Sequence, residues 1–258
     1  MCIRTEQAYG DPVRRFIPLH GKRHLRDLGP AEVEASLTHL AVQGQVSSST
    51  QNQAKSALLF PYREVLETEL PWLDGVVSAN HPRRLPVALT QEEIDRLLER
   101  MRGTSALVAR LLYGSGRRIL EGLTLRVKDL DFERREIPLR EGKGAKDRVT
   151  ILPECLIAPL RKHPERVREL HAEDLAAGCG EGYLPYALAR NFANASREWM
   201  WQYVFPSARL SKDPRSSATR RHHADEKPIQ RAVQAALRAC GDSPVTLADL
   251  LLITLRER

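Results

Sequence analysis

The stretch LLYGSGRRILEGLTLRVKDLDF, residues 111–132, decides how this chain is read, together with REGKGAKDRVTILP at 140–153. The first segment leaves an apolar helical run, breaks at Gly114-Ser115-Gly116, resumes as a helix over Arg117–Leu125 and closes on Asp129-Leu130-Asp131-Phe132. The second sets Gly142-Lys143-Gly144 between two strand-like runs, Glu136–Arg140 and Arg148–Leu152, and predicts a tight hairpin with a basic tip. Singly, these features are ambiguous. Gly-x-Gly before a helix is either a phosphate cradle or a turn. Gly-Lys-Gly on a hairpin is most often a solvated loop, and Arg118 with Glu121 has the spacing of an ordinary i,i+3 helix ion pair.

Outward from this centre the chain reads as mainly α with one small antiparallel sheet. Upstream, Thr90-Gln91-Glu92-Glu93 is a capping box that opens a helix through Glu99, and a further helix fits Ser105–Tyr113. Residues 74–90, DGVVSANHPRRLPVALT, lack a sustained period and carry Gly75, Pro82 and Pro86, which marks a linker, narrowed to 79–88. Before it lies a helical domain over 1–78. Val33, Leu37 and Leu40 define one face of a helix at Ala31–Leu40, and Ser47-Ser48-Ser49-Thr50 supplies N-caps for a helix through Leu66. Pro12 and Pro61 fall inside helical patterns, where an interior proline costs about 3 kcal/mol or bends the helix. The second domain covers 89–258, with a long irregular insertion at about 178–223.

Composition narrows the function. With 258 residues, 42% apolar and 28% charged, the chain has material for two real cores, and no apolar run approaches the roughly 18 residues of a membrane span. Met1-Cys2-Ile3-Arg4-Thr5-Glu6 has no apolar signal region, and Cys2, Cys155, Cys179 and Cys240 are scattered. A cytoplasmic protein without membrane contact, disulfide framework or zinc site is the expectation. His222-His223 has no Cys or carboxylate to complete a metal spacing, and no cofactor is implied. The net charge of +7 favours polyanionic partners. From Arg209 to Arg238, eight basic residues face three acids, a local +5, although such a run is often only a solvated face.

In this order and spacing the motifs resemble the catalytic domain of tyrosine recombinases, the phage-integrase family, and more narrowly the integron integrases. IRTEQAY (3–9), FIPLHGKRHLRDLGPAEVEASLTHLAV (16–42), STQNQAKSALLFPYREVL (49–66) and LPWLDGVV (70–77) resemble that group's SAM-like core-binding domain. WMWQYVFPS (199–207) and DPRSSATRRHH (213–223) resemble its distinctive insertion. The resemblance spans about residues 3 to 241. It implies DNA as partner, both duplex attachment sites and folded single-stranded cassette sites, bound by a homo-oligomer.

It also implies roles. Arg118 matches the first catalytic arginine, whose planar fork suits non-bridging phosphate oxygens at any working pH. Glu121 matches the acid that braces it. Lys143 matches the lysine that protonates the leaving 5′-oxygen, while Lys146 and Arg148 fall to backbone phosphates. Trp201, Pro214 and His223 match positions that cradle extruded bases, which need a flat wall to stack on; Arg220, Arg221 and His222 would flank phosphates. For Trp199, core packing is the better reading, since Trp-Met-Trp-Gln-Tyr-Val-Phe also alternates like a buried strand.

The text then departs from the family. After Ala239-Cys240-Gly241 a Pro-His-Thr-Leu-Arg-His box, a Gly-His motif and a nucleophilic tyrosine are expected. Instead Asp242-Ser243-Pro244-Val245-Thr246 runs into unrelated residues, no histidine follows His223 and no tyrosine follows Tyr203. Most of the family's first helix is also missing before Arg4, and Pro138 occupies a strand position. The expectation is an incomplete catalytic domain, truncated or frameshifted, descended from a recombinase but unable to cleave. The alternative is a non-catalytic DNA-binding remnant or inhibitor occupying recombination sites. A basic helical interaction protein with no DNA role does not account for the 114–148 motif set.

Overall fold

The computed structural model describes residues 3–68, 70, 75–79, 89–139, 147–184, 186–192, 194–214 and 216–240. The chain divides into two compact units, Met1–Leu85 and Pro86–Arg258. Residues 80–88, most of the expected linker, lie outside the described residues, as do Lys143, Lys146 and the tail from Gly241.

In the first unit, helices α1 (Ile3–Leu19), α2 (Pro30–Val42) and α3 (Ser48–Glu64) pack so that α3 meets both others. Pro30 opens α2, where a missing N–H costs nothing, and Glu32 accepts the Gly29 amide at 2.8 Å. Ser47 Oγ accepts the Thr50 amide at 3.2 Å, so the expected serine cap is the one used. The prolines do not break their helices. Pro12 lies within α1 and Pro61 in the last turn of α3, where its carbonyl accepts from Val65 and Leu66. One lost bond per proline is offset by an apolar seam of Phe16, Val33, Leu37, Leu58 and Tyr62, each at most 3% exposed. Gln51 is buried beside it. Its amide donates to the carbonyls of Leu37 (3.0 Å) and Val77 (2.8 Å) and accepts from Ala79 N (2.8 Å), fastening 75–79 to this unit.

The second unit opens with α4 (Gln91–Arg100) on the predicted capping box: Glu93 N donates to Thr90 Oγ1 at 3.3 Å and Thr90 N to Glu93 Oε2 at 2.7 Å. Then come α5 (Gly103–Ser115), α6 (Ile119–Leu123), strands β1 (Glu136–Leu139) and β2 (Arg148–Ile151), α7 (Ile157–Ala176), α8 (Tyr186–Asn191), strands β3 (Ser211–Lys212) and β4 (Thr219–Arg220), and α9 (Glu226–Cys240). Helix α9 lies against α4, α5 and α6, burying Ile229, Val233 and Leu237 with Ile94, Leu97, Leu111 and Leu112. β1 and β2 form the one small antiparallel sheet that the sequence implies in a mainly α fold, and β3 and β4 add a second antiparallel pair that it does not. Pro138 pairs with Val149. Because Leu152 N donates to Arg135 O, alternation makes Pro138–Val149 a non-hydrogen-bonded pair, so the missing N–H faces away from β2. Residues 199–205 are not the alternating strand that their pattern suggests. Trp199–Trp201 form a 3₁₀ turn, and Tyr203, Val204 and Phe205 enter the core through an isolated bridge from Tyr203 to Arg126.

Candidate nucleic-acid interface

Gly114-Ser115-Gly116 is the end of α5 and its cap. Gly116 takes φ 64°, the left-handed cap that ends α5, and its amide donates to Leu112 O. A side chain at Gly114 would strike the Pro153 ring. The turn delivers Arg117 and Arg118 in opposite directions.

Arg118 is extended (φ −68°, ψ 152°) and caps α6, so the helix starts two residues later than expected and spans only Ile119–Leu123. The reason is Glu121. Its Oε2 accepts the Arg118 backbone amide at 3.0 Å while its Oε1 accepts Arg118 Nη1 at 2.8 Å. Capping and ion pairing by one carboxylate replace the helical i,i+3 pair. Glu121 Oε2 also accepts Arg148 Nη2 at 2.8 Å from the start of β2. The carboxylate is 13% exposed, whereas Arg118 and Arg148 are 61% and 40% exposed. Burial alone would raise the Glu121 pKa, but the Arg118 amide and guanidinium and the Arg148 charge hold it below the usual carboxylate range.

Arg117, 1% exposed, was not singled out from the sequence. Its Nε donates to Thr150 Oγ1 (3.1 Å), Nη2 to Ile137 O (2.8 Å) and Nη1 to Glu121 O (3.4 Å). One guanidinium thus ties the α6 cap to both strands of the hairpin. Burial pulls its pKa down to about 10, with Glu121 opposing and Arg148 adding, so it remains a cation at neutral pH. The signal was the doubled arginine at a turn, but nothing in the sequence said which would turn inward.

The insertion residues form a second cluster. Trp201 is half-buried, with Lys128 Nζ 3.2 Å from its ring centroid and the Arg126 guanidinium 6.0 Å from it. Arg126 also lies 4.8 Å over Tyr203 and donates to the carbonyls of Trp201 and, at 2.6 Å, Tyr183. Tyr203 meets His222 and His223, centroids 5.5 and 5.6 Å away, and those two rings lie 4.2 Å apart. Trp201, His222 and His223 are therefore brought together through Arg126 and Tyr203. His223 Nδ1 donates to Ala224 O at 2.8 Å, which leaves Nε2 as an acceptor when the ring is neutral. His222 is exposed as a residue, yet desolvation of its ring, then His223 and Arg126, pushes its pKa down to about 4 against the pull of Asp213. At neutral pH it is a neutral donor and stacking surface, not a cation. Pro214 stands exposed on the turn between β3 and β4.

Arg220 and Arg221 are engaged within the fold. Arg220, 20% exposed, faces Asp213 at 3.7 Å and donates to Ser216 Oγ at 3.3 Å. Arg221 is paired with Asp174 and donates to Ser207 O at 2.9 Å. Trp199 is half-buried, its ring centroid 6.0 Å from that of His171, in keeping with a packing role. No helix among the described residues is long and apolar enough to cross a membrane.

Comparison with known proteins agrees with this architecture. Residues 1–72 match the phage integrase N-terminal SAM-like domain, and residues 88–247 match the phage integrase family. An integrase/recombinase of Escherichia coli is 48% identical over 239 residues, covering 93% of this chain and 71% of its own length, and one from Pseudomonas aeruginosa matches equally. Tyrosine recombinase XerA of Thermococcus kodakarensis is 36% identical over 165 residues, 62% of this chain and 55% of its own. Among solved structures, a lambda integrase tetramer bound to a Holliday junction covers 99% of this chain and 64% of its own with TM-score 0.60 at 16% identity. The Tn1549 transposon integrase in complex with transposon right end DNA covers 98% and 85% with TM-score 0.59 at 14% identity. At such identities the likeness is one of fold.

Proposed function

Because the chain belongs to the phage integrase family of tyrosine recombinases, we propose that it is a cytoplasmic site-specific DNA recombinase of the integron integrase type. The reading rests on one observation above the rest: a solvent-facing guanidinium, Arg118, is capped onto α6 and braced by a carboxylate that stays ionised. That arrangement holds a phosphodiester by a rigid bidentate fork. Lys143, by resemblance, supplies the proton to the leaving 5′-oxygen. Trp201, His223 and Pro214 receive extruded bases of folded single-stranded cassette sites, while Lys146 and His222 lie along phosphates. Duplex attachment sites are gripped by both domains of a homo-oligomer.

The same reading makes these 258 residues a holder of phosphate and not a cutter. Cleavage in this family needs a tyrosyl oxygen in line with phosphorus. Tyr62 and Tyr203 are buried, and burial raises both pKa values. A chain that binds without cutting would occupy recombination sites as an inhibitor.

The test is a binding isotherm against ionic strength, paired with a suicide duplex nicked beside the scissile phosphate. Binding should weaken steeply with salt through counterion release, and a denaturing gel should show no covalent adduct. Affinity that is flat with salt would sink the DNA reading; an adduct on any of the six tyrosines would sink the non-cutting one.

A further inference from the structure

We propose that Arg148 is a second ligand of the same phosphate that Arg118 holds, with Glu121 setting the two guanidiniums side by side. The inference rests on the DNA-recombinase reading and deepens it, moving Arg148 from the flanking backbone to the central phosphate.

Strand geometry places Arg148. In β2 the exposed Val149 and Ile151 face outward, so Arg148 and Thr150 face the α6 side, where Thr150 meets Arg117 and Arg148 meets Glu121. Arg118 and Arg148 then converge on opposite oxygens of one carboxylate, each at 2.8 Å. Among the described residues, Glu121 is the only partner of either side chain. One carboxylate under two guanidiniums leaves the trio with a net positive charge. Each fork retains unused N–H donors. The less exposed carboxylate lies beneath and the two guanidiniums lie outermost, so an incoming anion meets both cations before the acid.

Charge-sharing of this kind suits a phosphodiester. Its two non-bridging oxygens can each take one guanidinium, and the added charge of a five-coordinate phosphorus is met by donors already aligned. Arg117 sits behind this pair as a positioning residue, locking the α6 cap to β1 and β2 so that Arg118 and Arg148 move as one body.

The experiment uses the full chain and a duplex selected from a random pool for tight binding by the parent protein. Each phosphate of that duplex is replaced in turn by an uncharged methylphosphonate, and binding is measured for the parent, Arg118→Gln, Arg148→Gln and the double variant. Each single variant should weaken binding roughly ten- to a hundredfold, the range of one charge-assisted contact. One methylphosphonate position should erase the difference between the parent and both variants. Circular dichroism and Arg148→Lys, which keeps the charge, guard against misfolding: the lysine variant should stay coupled to the same position. Arg148→Gln binding like the parent, or the two arginines mapping to different phosphates, would overturn the proposal. Parent protein that selects no DNA would instead overturn the recombinase reading itself.

Discussion

Arg221 and Asp174, 47 residues apart, are joined by two hydrogen bonds, Nε to Oδ2 at 2.5 Å and Nη2 to Oδ1 at 2.8 Å. Their side chains are 14% and 8% exposed, so the pair closes the insertion onto α7. A basic residue in the most basic window of the chain thus serves the fold. Arg221→Ala should lower unfolding free energy by about 3 kcal/mol, because it strands a nearly buried carboxylate. Urea denaturation checks this. A variant as stable as the parent whose salt slope for DNA falls by about one would instead put Arg221 on a phosphate.

Gln51→Leu should destabilise the first unit by about 3 kcal/mol, since it orphans two carbonyls and one amide at a buried site. Hydrogen exchange at the Ala79 amide should accelerate with it. Unchanged protection there would show that 75–79 is held by something other than this side chain.

Acidification should destabilise the fold in two stages. Burial, with Arg166 adding and Val204 O opposing, holds the His163 pKa below 6.5. The unfolded chain therefore takes up its proton first, and stability present above 6.5 is lost as pH falls from there through the lower folded value. The carboxylates of Glu32, Glu93 and Glu121 sit below 4.5, so their contributions hold above that value and are lost further down, for Glu32 as far as about 2. His222, whose pKa is pushed down to about 4, loses stability in the same window. Denaturation midpoints across this range should therefore show the first stage shrink in His163→Gln and vanish only when His222 is replaced as well. A first stage unchanged in the single variant would assign it to another histidine.

Trypsin should cut first after Arg83 or Arg84, within the proposed 79–88 linker, and release two fragments that remain folded. Mass spectrometry of the earliest products decides it. Earlier cleavage at Arg14 or Arg15 would mean that α1, with its two prolines, opens before the linker does.

Trp201→Ala should weaken binding to a DNA hairpin with one extrahelical base by about 1–3 kcal/mol while leaving a fully paired duplex nearly unaffected. Equal losses on both substrates would reduce Trp201 to a packing partner of Lys128 and Arg126.

Much of the fold was legible because its signals are local. The Thr90–Glu93 box, the Ser47 cap and the β1–β2 hairpin need only neighbouring residues to form, and they stand within a residue or two of where the sequence puts them. Pro12 and Pro61 lie within helices because the cost of a lost N–H is local while the apolar seam that offsets it is not. The 199–205 run misled for a related reason: burial on alternate sides looks like a strand whether or not a partner strand exists.

The sequence by itself determined the mainly helical plan, the basic character and the spacing that pairs Arg118 with Glu121. Only the tertiary structure decided that Arg117 turns inward while Arg118 faces solvent, that Arg148 joins Glu121, and that Arg221 belongs to Asp174. A guanidinium carries the same charge and donors wherever it stands. Which anion or carbonyl Arg117, Arg148 and Arg221 meet is fixed by chain segments 20 to 47 residues away, through packing that no local pattern encodes.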